Sequence, residues 1–137
     1  MEWLSDISWI KDKKILTVDD NEVNLMFNKI CLTRAGIVKE NICIAQNGLE
    51  AVEEATRQLF DVIIMDIHMP VMNGIDAAKK IKEQYIGSDR PKIIANTGDY
   101  NIDIIAQDKK TFDDYMTKPT SPEEFIKKIY TVLNFPA

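Results

Sequence analysis

Five short strand-like runs recur along the chain: "KILTV" (14–18), "NICIA" (41–45), "DVIIM" (61–65), "KIIAN" (92–96) and "DDYMT" (113–117). Segments of helix length separate them. This alternation predicts an α/β domain with a parallel sheet, because parallel neighbours need a long crossover and a helix satisfies its own backbone while crossing. The first four runs are apolar almost throughout, as expected of strands covered by helices on both faces. With 137 residues, the chain has the size of one globular domain with a sizeable core. No repeat, low-complexity tract or interdomain linker interrupts it.

The helices carry start signals. Asn47 with Glu50 reads as a capping box, followed by Leu49, Val52 and Ala55 on one face. Ser121, Pro122 and Glu124 open the last helix, with Ile126, Ile129 and Leu133 as its apolar stripe. Val23, Phe27 and Ile30 are the expected stripe of the first helix, and Gly36 its stop. Ile75, Ala78, Ile81 and Tyr85 serve the third. A fourth helix is expected between Ile102 and Asp113, although Ile102, Ile104, Ile105 and Ala106 make no clean stripe.

Charge and composition exclude several function classes. A net charge of -5 with scattered basic doublets at Lys13, Lys79, Lys109 and Lys127 argues against a nucleic-acid surface, which needs clustered cations. No apolar run approaches the roughly 18 residues of a membrane helix. The opening "MEWLSDISWIKDKK" carries Glu2 and Asp6 and lacks the pattern of a signal peptide, so a cytoplasmic protein is expected. Cys31 and Cys43 lie in apolar segments without metal-ligand spacing, and reduced, buried thiols are expected.

Once the strands are parallel, distant residues become one site. Asp19 and Asp20 end strand 1, Asp66 ends strand 3, Thr97 ends strand 4 and Lys118 ends strand 5. In an open parallel sheet these carboxyl ends share the edge where ligands bind. Three gathered carboxylates repel one another unless a cation intervenes, and Mg²⁺, which takes hard oxygens and leaves room for phosphate, suits them. Lys118 adds a mobile positive charge and Thr97 a hydroxyl donor. Together they describe phosphoryl chemistry, in which positioning and charge neutralisation dominate.

The motifs "TVDDNEVN", "MDIHMPVMNG", "IIANTGD" and "DDYMTKP", in this order and spacing, resemble the receiver domain of two-component response regulators and hybrid histidine kinases. The likeness spans about Lys13 to Leu133. It implies a flavodoxin-like, doubly wound sheet of five parallel strands in order 2-1-3-4-5 with five helices. Residues 13–137 would form the receiver domain and residues 1–12 an N-terminal extension. By this resemblance Asp66 is the phosphoacceptor, taking a phosphoryl group from a phosphohistidine on a histidine kinase or histidine phosphotransfer protein. Asp19, Asp20, Asp66 and the backbone carbonyl of His68 would hold Mg²⁺. Lys118, before an expected cis-Pro119, would pair with Asp66 or its phosphate. Thr97 and Tyr115 would be the switch, remodelling the face of the fourth helix, fifth strand and fifth helix for a downstream protein partner. The side chains of His68 and Asp99 would tune phosphoryl lifetime. Such a domain is no enzyme in the usual sense: it catalyses its own phosphorylation and dephosphorylation, as a monomer or weak dimer.

The chain departs from the family pattern around Thr97. Asn96 replaces an aliphatic residue, Gly98 an alanine and Thr111 a common glycine, and the segment from Thr97 to Lys118 is about one residue short. The conformational relay should feel these changes more than the chemistry. In the extension, Trp3, Leu4, Ile7 and Ile10 can share a helical face with Trp9 beside it, and packing on its own domain is expected. Two rivals stay open. One is a pseudo-receiver that docks without phosphorylation; the other is an aspartyl-nucleophile phosphatase of the haloacid dehalogenase type, which needs an Asp where His68 stands. A histidine phosphotransfer domain fits less well, since His68 is in a loop.

Overall fold

A computed structural model describes residues 9–85, 91–98 and 110–134. Five parallel strands, β1 (Ile15–Val18), β2 (Ile42–Ala45), β3 (Val62–Asp66), β4 (Lys92–Thr97) and β5 (Asp114–Thr117), form one sheet in the order β2-β1-β3-β4-β5. Four helices lie among the described residues: α1 (Glu22–Ala35), α2 (Gly48–Arg57), α3 (Gly74–Glu83) and α4 (Pro122–Asn134), with a 3₁₀ turn at Lys39–Asn41. The further helix expected after Ile102 falls outside the described residues. The strand runs, their parallel pairing and their order are those the sequence implied.

The sheet separates two apolar layers. Leu16, Val18, Ile63, Met65, Ile93 and Ala95 face Ala51 and Ala55 of α2 and Ala77, Ala78 and Ile81 of α3. Ile15, Ile64, Ile94 and Met116 face Cys31, Leu32 and Ala35 of α1 and Phe125, Ile129 and Tyr130 of α4. Successive strand residues alternate between the layers, which is why β1 and β3 are buried along their whole length. β2 differs from the expectation of full cover: it is an edge strand, and Ile44 is 45% exposed. Cys43 on it is half-buried and only Cys31 is buried, so the expectation of two buried thiols holds for one. Burial pushes the Cys31 thiol above its ordinary value, the unreactive direction.

Caps follow the sequence signals more closely than faces do. Asn47 accepts from the Glu50 amide at 2.9 Å, and Ser121 Oγ from the Glu124 amide at 3.1 Å. Asn21 accepts from the Val23 and Asn24 amides, and Gly36 ends α1 in the left-handed region with φ 111°. The inward face of α1, however, is Leu25, Asn28, Cys31, Leu32 and Ala35; of the expected stripe only Phe27 packs on the core, half-buried against Phe125. Val23 is 74% and Ile30 53% exposed. Asn28 can lie inward because its Nδ2 donates to Thr17 Oγ1 at 2.8 Å, which satisfies both buried groups. On α2, Leu49 is likewise exposed, and the small Gly48, Ala51 and Ala55 form the contact.

The end of the N-terminal extension packs on the domain. Ile10 is fully buried in the α1–α4 layer and the Trp9 ring lies 5.9 Å from that of Tyr130. Trp3, Leu4 and Ile7 lie outside the described residues.

Candidate functional site

Four of the five strand ends, those of β1, β3, β4 and β5, contribute to the site. β1 and β3 are paired up to Val18 and Met65, so the next residues, Asp19 and Asp66, come side by side, Asp66 still paired with Asn96 of β4. Asp19 is 1% and Asp66 6% exposed, while Asp20 is exposed. One carboxylate oxygen from each of Asp19, Asp20 and Asp66 lies within 4.8 Å of the others. Lys118, held beside the Thr97 carbonyl by its own amide at 2.9 Å, sends Nζ across the edge. That ammonium lies 2.8 Å from Asp19 Oδ2 and 3.3 Å from Asp66 Oδ1. The bond between Lys118 and Pro119 is cis, as expected.

One cation against three carboxylates leaves the cluster short of positive charge. Burial, and then the neighbouring Asp19 and Asp20 carboxylates, raise the Asp66 pKa, although Lys118 pulls it down. For Lys118 burial acts downward, but hydrogen bonding to Asp19 and the charges of both aspartates outweigh it and raise its pKa. The same ion pair therefore keeps the ammonium charged without being enough to relieve Asp66. A further cation would, and the donor set is right for one. Three hard oxygens around a single octahedral Mg²⁺ lie roughly 3–4 Å apart, close to the spacing already present.

Asp19 is braced from below. Its Oδ1 accepts from the Asn21 amide at 2.9 Å and from Asn24 Nδ2 at 3.4 Å, leaving Oδ2 to Lys118. Asn24, the last residue of the TVDDNEVN motif, was not singled out as a site residue, because residue type alone does not show that it turns back to Asp19. Gly74, the last residue of the MDIHMPVMNG motif, fixes the loop beside the site. The loop after Asp66 turns back so that the Gly74 amide donates to Ile67 O at 2.8 Å, and a Cβ at Gly74 would fall 2.0 Å from the Asp66 carbonyl oxygen. Gly48, whose amide donates to Met72 O at 3.1 Å, ties the other side of that loop to α2. Val71, in its middle, has φ 70°, an uncommon conformation for a β-branched residue.

Thr97 is buried at the end of β4. The His68 side chain is exposed two residues past Asp66. The Tyr115 ring points outward, 41% exposed with the Lys128 ammonium 5.8 Å from its centroid, so it is not brought to the carboxylates. Asp99 lies outside the described residues. Asn96 pairs in register with Asp66, is 5% exposed, and its Oδ1 has no hydrogen-bond partner among the described residues. No helix among the described residues is long and apolar enough to cross a membrane.

Comparison with known proteins agrees with this geometry. The family described as the response regulator receiver domain matches residues 15–130. Protein PilH of Pseudomonas aeruginosa is 32% identical over 120 residues, which is 88% of this chain and 97% of that protein. The transcriptional regulatory protein PhoP of Bacillus subtilis is 31% identical over 89% of this chain but 49% of its own length. The chain spans half or less of the first curated relatives it matches, histidine kinases among them. Among solved structures, the receiver domain of a sensor histidine kinase from Pseudomonas aeruginosa, with magnesium in its active-site cleft, superposes with a TM-score of 0.75 at 27% identity. That match covers 88% of this chain and 97% of the other.

Proposed function

This chain belongs to the response regulator receiver domain family, and from that premise we propose that it carries a phosphoryl group on Asp66 and uses it to change protein partners. The observation that carries the reading is the meeting of the Asp66 carboxylate with two further carboxylates and the Lys118 ammonium at one sheet edge.

In the transfer, an Asp66 carboxylate oxygen attacks the phosphorus of a phosphohistidine on a histidine kinase or histidine phosphotransfer protein. The new O–P bond forms as the P–N bond breaks, and its electron pair returns to the imidazole of the donor. Asp19, Asp20, Asp66 and the His68 carbonyl would hold Mg²⁺, which when bound neutralises the carboxylates and the phosphoryl oxygens. Lys118 is poised to move its charge from Asp66 to a phosphoryl oxygen, a step that needs only a short swing of its side chain. The Thr97 hydroxyl donates to another of these oxygens. Lys118 and Thr97 thus stabilise charge where it develops. The outward Tyr115 ring is the position from which the switch departs, remodelling the surface of β5, α4 and the segment before β5 for a downstream partner. The side chains of His68 and Asp99 tune the lifetime of the phosphoryl group in this reading. Histidine kinases among the relatives support a kinase-driven relay as the setting, and a cytoplasmic location goes with it.

The test is direct. Incubation with Mg²⁺ and a small acyl-phosphate donor should add one phosphoryl mass to the wild type and none to Asp66→Ala. Rapid release of phosphate without a lasting adduct would favour a phosphatase, and no modification would favour a docking module. The dephosphorylation rate of Asp99→Ala, compared with wild type, checks the tuning role; equal rates remove it.

A further inference from the structure

Tyr115 lies on β5, the last strand of the sheet, in register with Ala95 of β4. Parallel partners in register point to the same face, so Tyr115 starts on the face of Ala95 and of Thr97, two residues further on. That face belongs to the layer of α2 and α3. Met116, the next residue, points to the other face, where α4 packs. Lys128 stands on α4, across the sheet from the Thr97 side chain. Its contact with the Tyr115 ring therefore runs around the open edge of β5, and only an outward ring is within its reach.

Asp114 aims the ammonium. Lys128 Nζ donates to Asp114 Oδ1 at 2.9 Å, the oxygen that also accepts from the Tyr115 amide at 2.8 Å, and lies 5.8 Å from the centroid of the Tyr115 ring. Glu124, one turn earlier on α4, is engaged at its Oε1 by Ser121 Oγ at 3.2 Å. A cation within about 6 Å of a tyrosine face is attracted by the negative face of the ring. An inward swing of the ring over Ala95 toward Thr97 leaves the ion pair in place and forfeits the ring contact. Only an interaction made in one of two states shifts the balance between them, and the ring contact is such an interaction. We propose that Lys128 is a positioning residue of the switch: anchored on Asp114, it latches the Tyr115 ring outward and so opposes the inward turn that a phosphoryl group on Asp66 drives. The latch rests on the reading of Asp66 as phosphoacceptor and Tyr115 as switch.

Beryllofluoride, which caps an aspartate carboxylate as a phosphoryl group does, is the probe. It is titrated with Mg²⁺ into the whole chain and followed by the fluorine resonances of the bound form, while isotope-labelled tyrosine reports the Tyr115 ring. Lys128→Gln should bind it about two- to fivefold more tightly than wild type, the factor that a partly exposed ring contact supplies. In the unliganded Lys128→Gln protein the Tyr115 resonances should move toward their bound positions. Lys128→Arg, which keeps the charge and the ring contact, should behave as wild type. In a Tyr115→Leu background the gain from Lys128→Gln should vanish. Equal affinity of Lys128→Gln and wild type, the same gain in Lys128→Arg, or a gain that survives Tyr115→Leu would overturn the latch and leave the phosphoacceptor reading standing. A wild type that takes up no beryllofluoride would overturn that reading and the latch with it.

Discussion

Replacing Gly74 by alanine sets two effects of opposite sign against each other. Alanine is the better helix former by up to about 1 kcal/mol, and Gly74 opens α3, so propensity alone predicts stabilisation. Packing predicts the reverse. The added Cβ would sit 2.0 Å from the Asp66 carbonyl oxygen, 2.9 Å from its carbonyl carbon and 2.9 Å from Ile67 Cα. These are backbone atoms at the end of a strand paired on both sides, so no flexible side chain can swing away. Relief requires α3 and the end of β3 to part by on the order of 1 Å, an overpacking that costs about 1–3 kcal/mol. The Gly74 amide to Ile67 carbonyl bond stretches with them, adding about 0.5–1.5 kcal/mol. The net expectation is a loss of about 2–3 kcal/mol, read as a fall of about 1–2 M in the urea midpoint. Because the displaced carbonyl belongs to Asp66, phosphoryl uptake from an acyl phosphate should slow as well. Gly98→Ala is the control: its Cβ would meet Lys118 Cβ at 3.7 Å, an ordinary contact, and stability should stay within about 0.5 kcal/mol. A Gly74→Ala protein as stable as the wild type would refute the steric reasoning.

Ile10→Ala should cost about 2–5 kcal/mol in urea denaturation, because Ile10 is fully buried although it precedes β1; a loss under about 1 kcal/mol would deny the extension its place in the core. Mg²⁺ at 100 times its dissociation constant should stabilise the wild type by about 2.7 kcal/mol in thermal unfolding, and Asp20→Asn should need more metal for the same shift. Without metal, the raised Asp66 pKa means that the folded chain holds a proton, over a window opening at the ordinary value of 3.8, that the unfolded chain has released. Stability therefore falls as pH rises through that window. Asp66→Asn lacks this penalty, so its stability advantage over wild type should grow with pH and then level off; an advantage flat with pH would contradict the electrostatic account.

Most of the architecture was legible because its signals are local. The strand runs repeat with crossover-length spacing, and the caps at Asn47 and Ser121 act within three residues. The site was legible for a related reason. A parallel sheet delivers every strand end to one edge, so Asp19, Asp20, Asp66, Thr97 and Lys118 could be placed together by topology before any distance was known. What failed was the choice of helix face. On α1 an inward position is polar and satisfied, Asn28 on Thr17, while Val23 and Ile30 are apolar and outward, so of the expected stripe only Phe27 meets the core. On α2 the close approach to the loop selects small residues, and Leu49 faces out.

By itself, then, the sequence determined the elements, their parallel arrangement and the chemical types at the strand ends, since these depend on periodicity and on residue identity. Only the tertiary structure decided which oxygens of Asp19 and Asp66 meet Lys118, that Gly74 lies against the Asp66 backbone, and that Asn96 is buried in register with Asp66. Those are contacts between elements far apart in the chain. They depend on register, helix rotation and separations of a few tenths of an ångström, quantities that no local pattern of residues encodes.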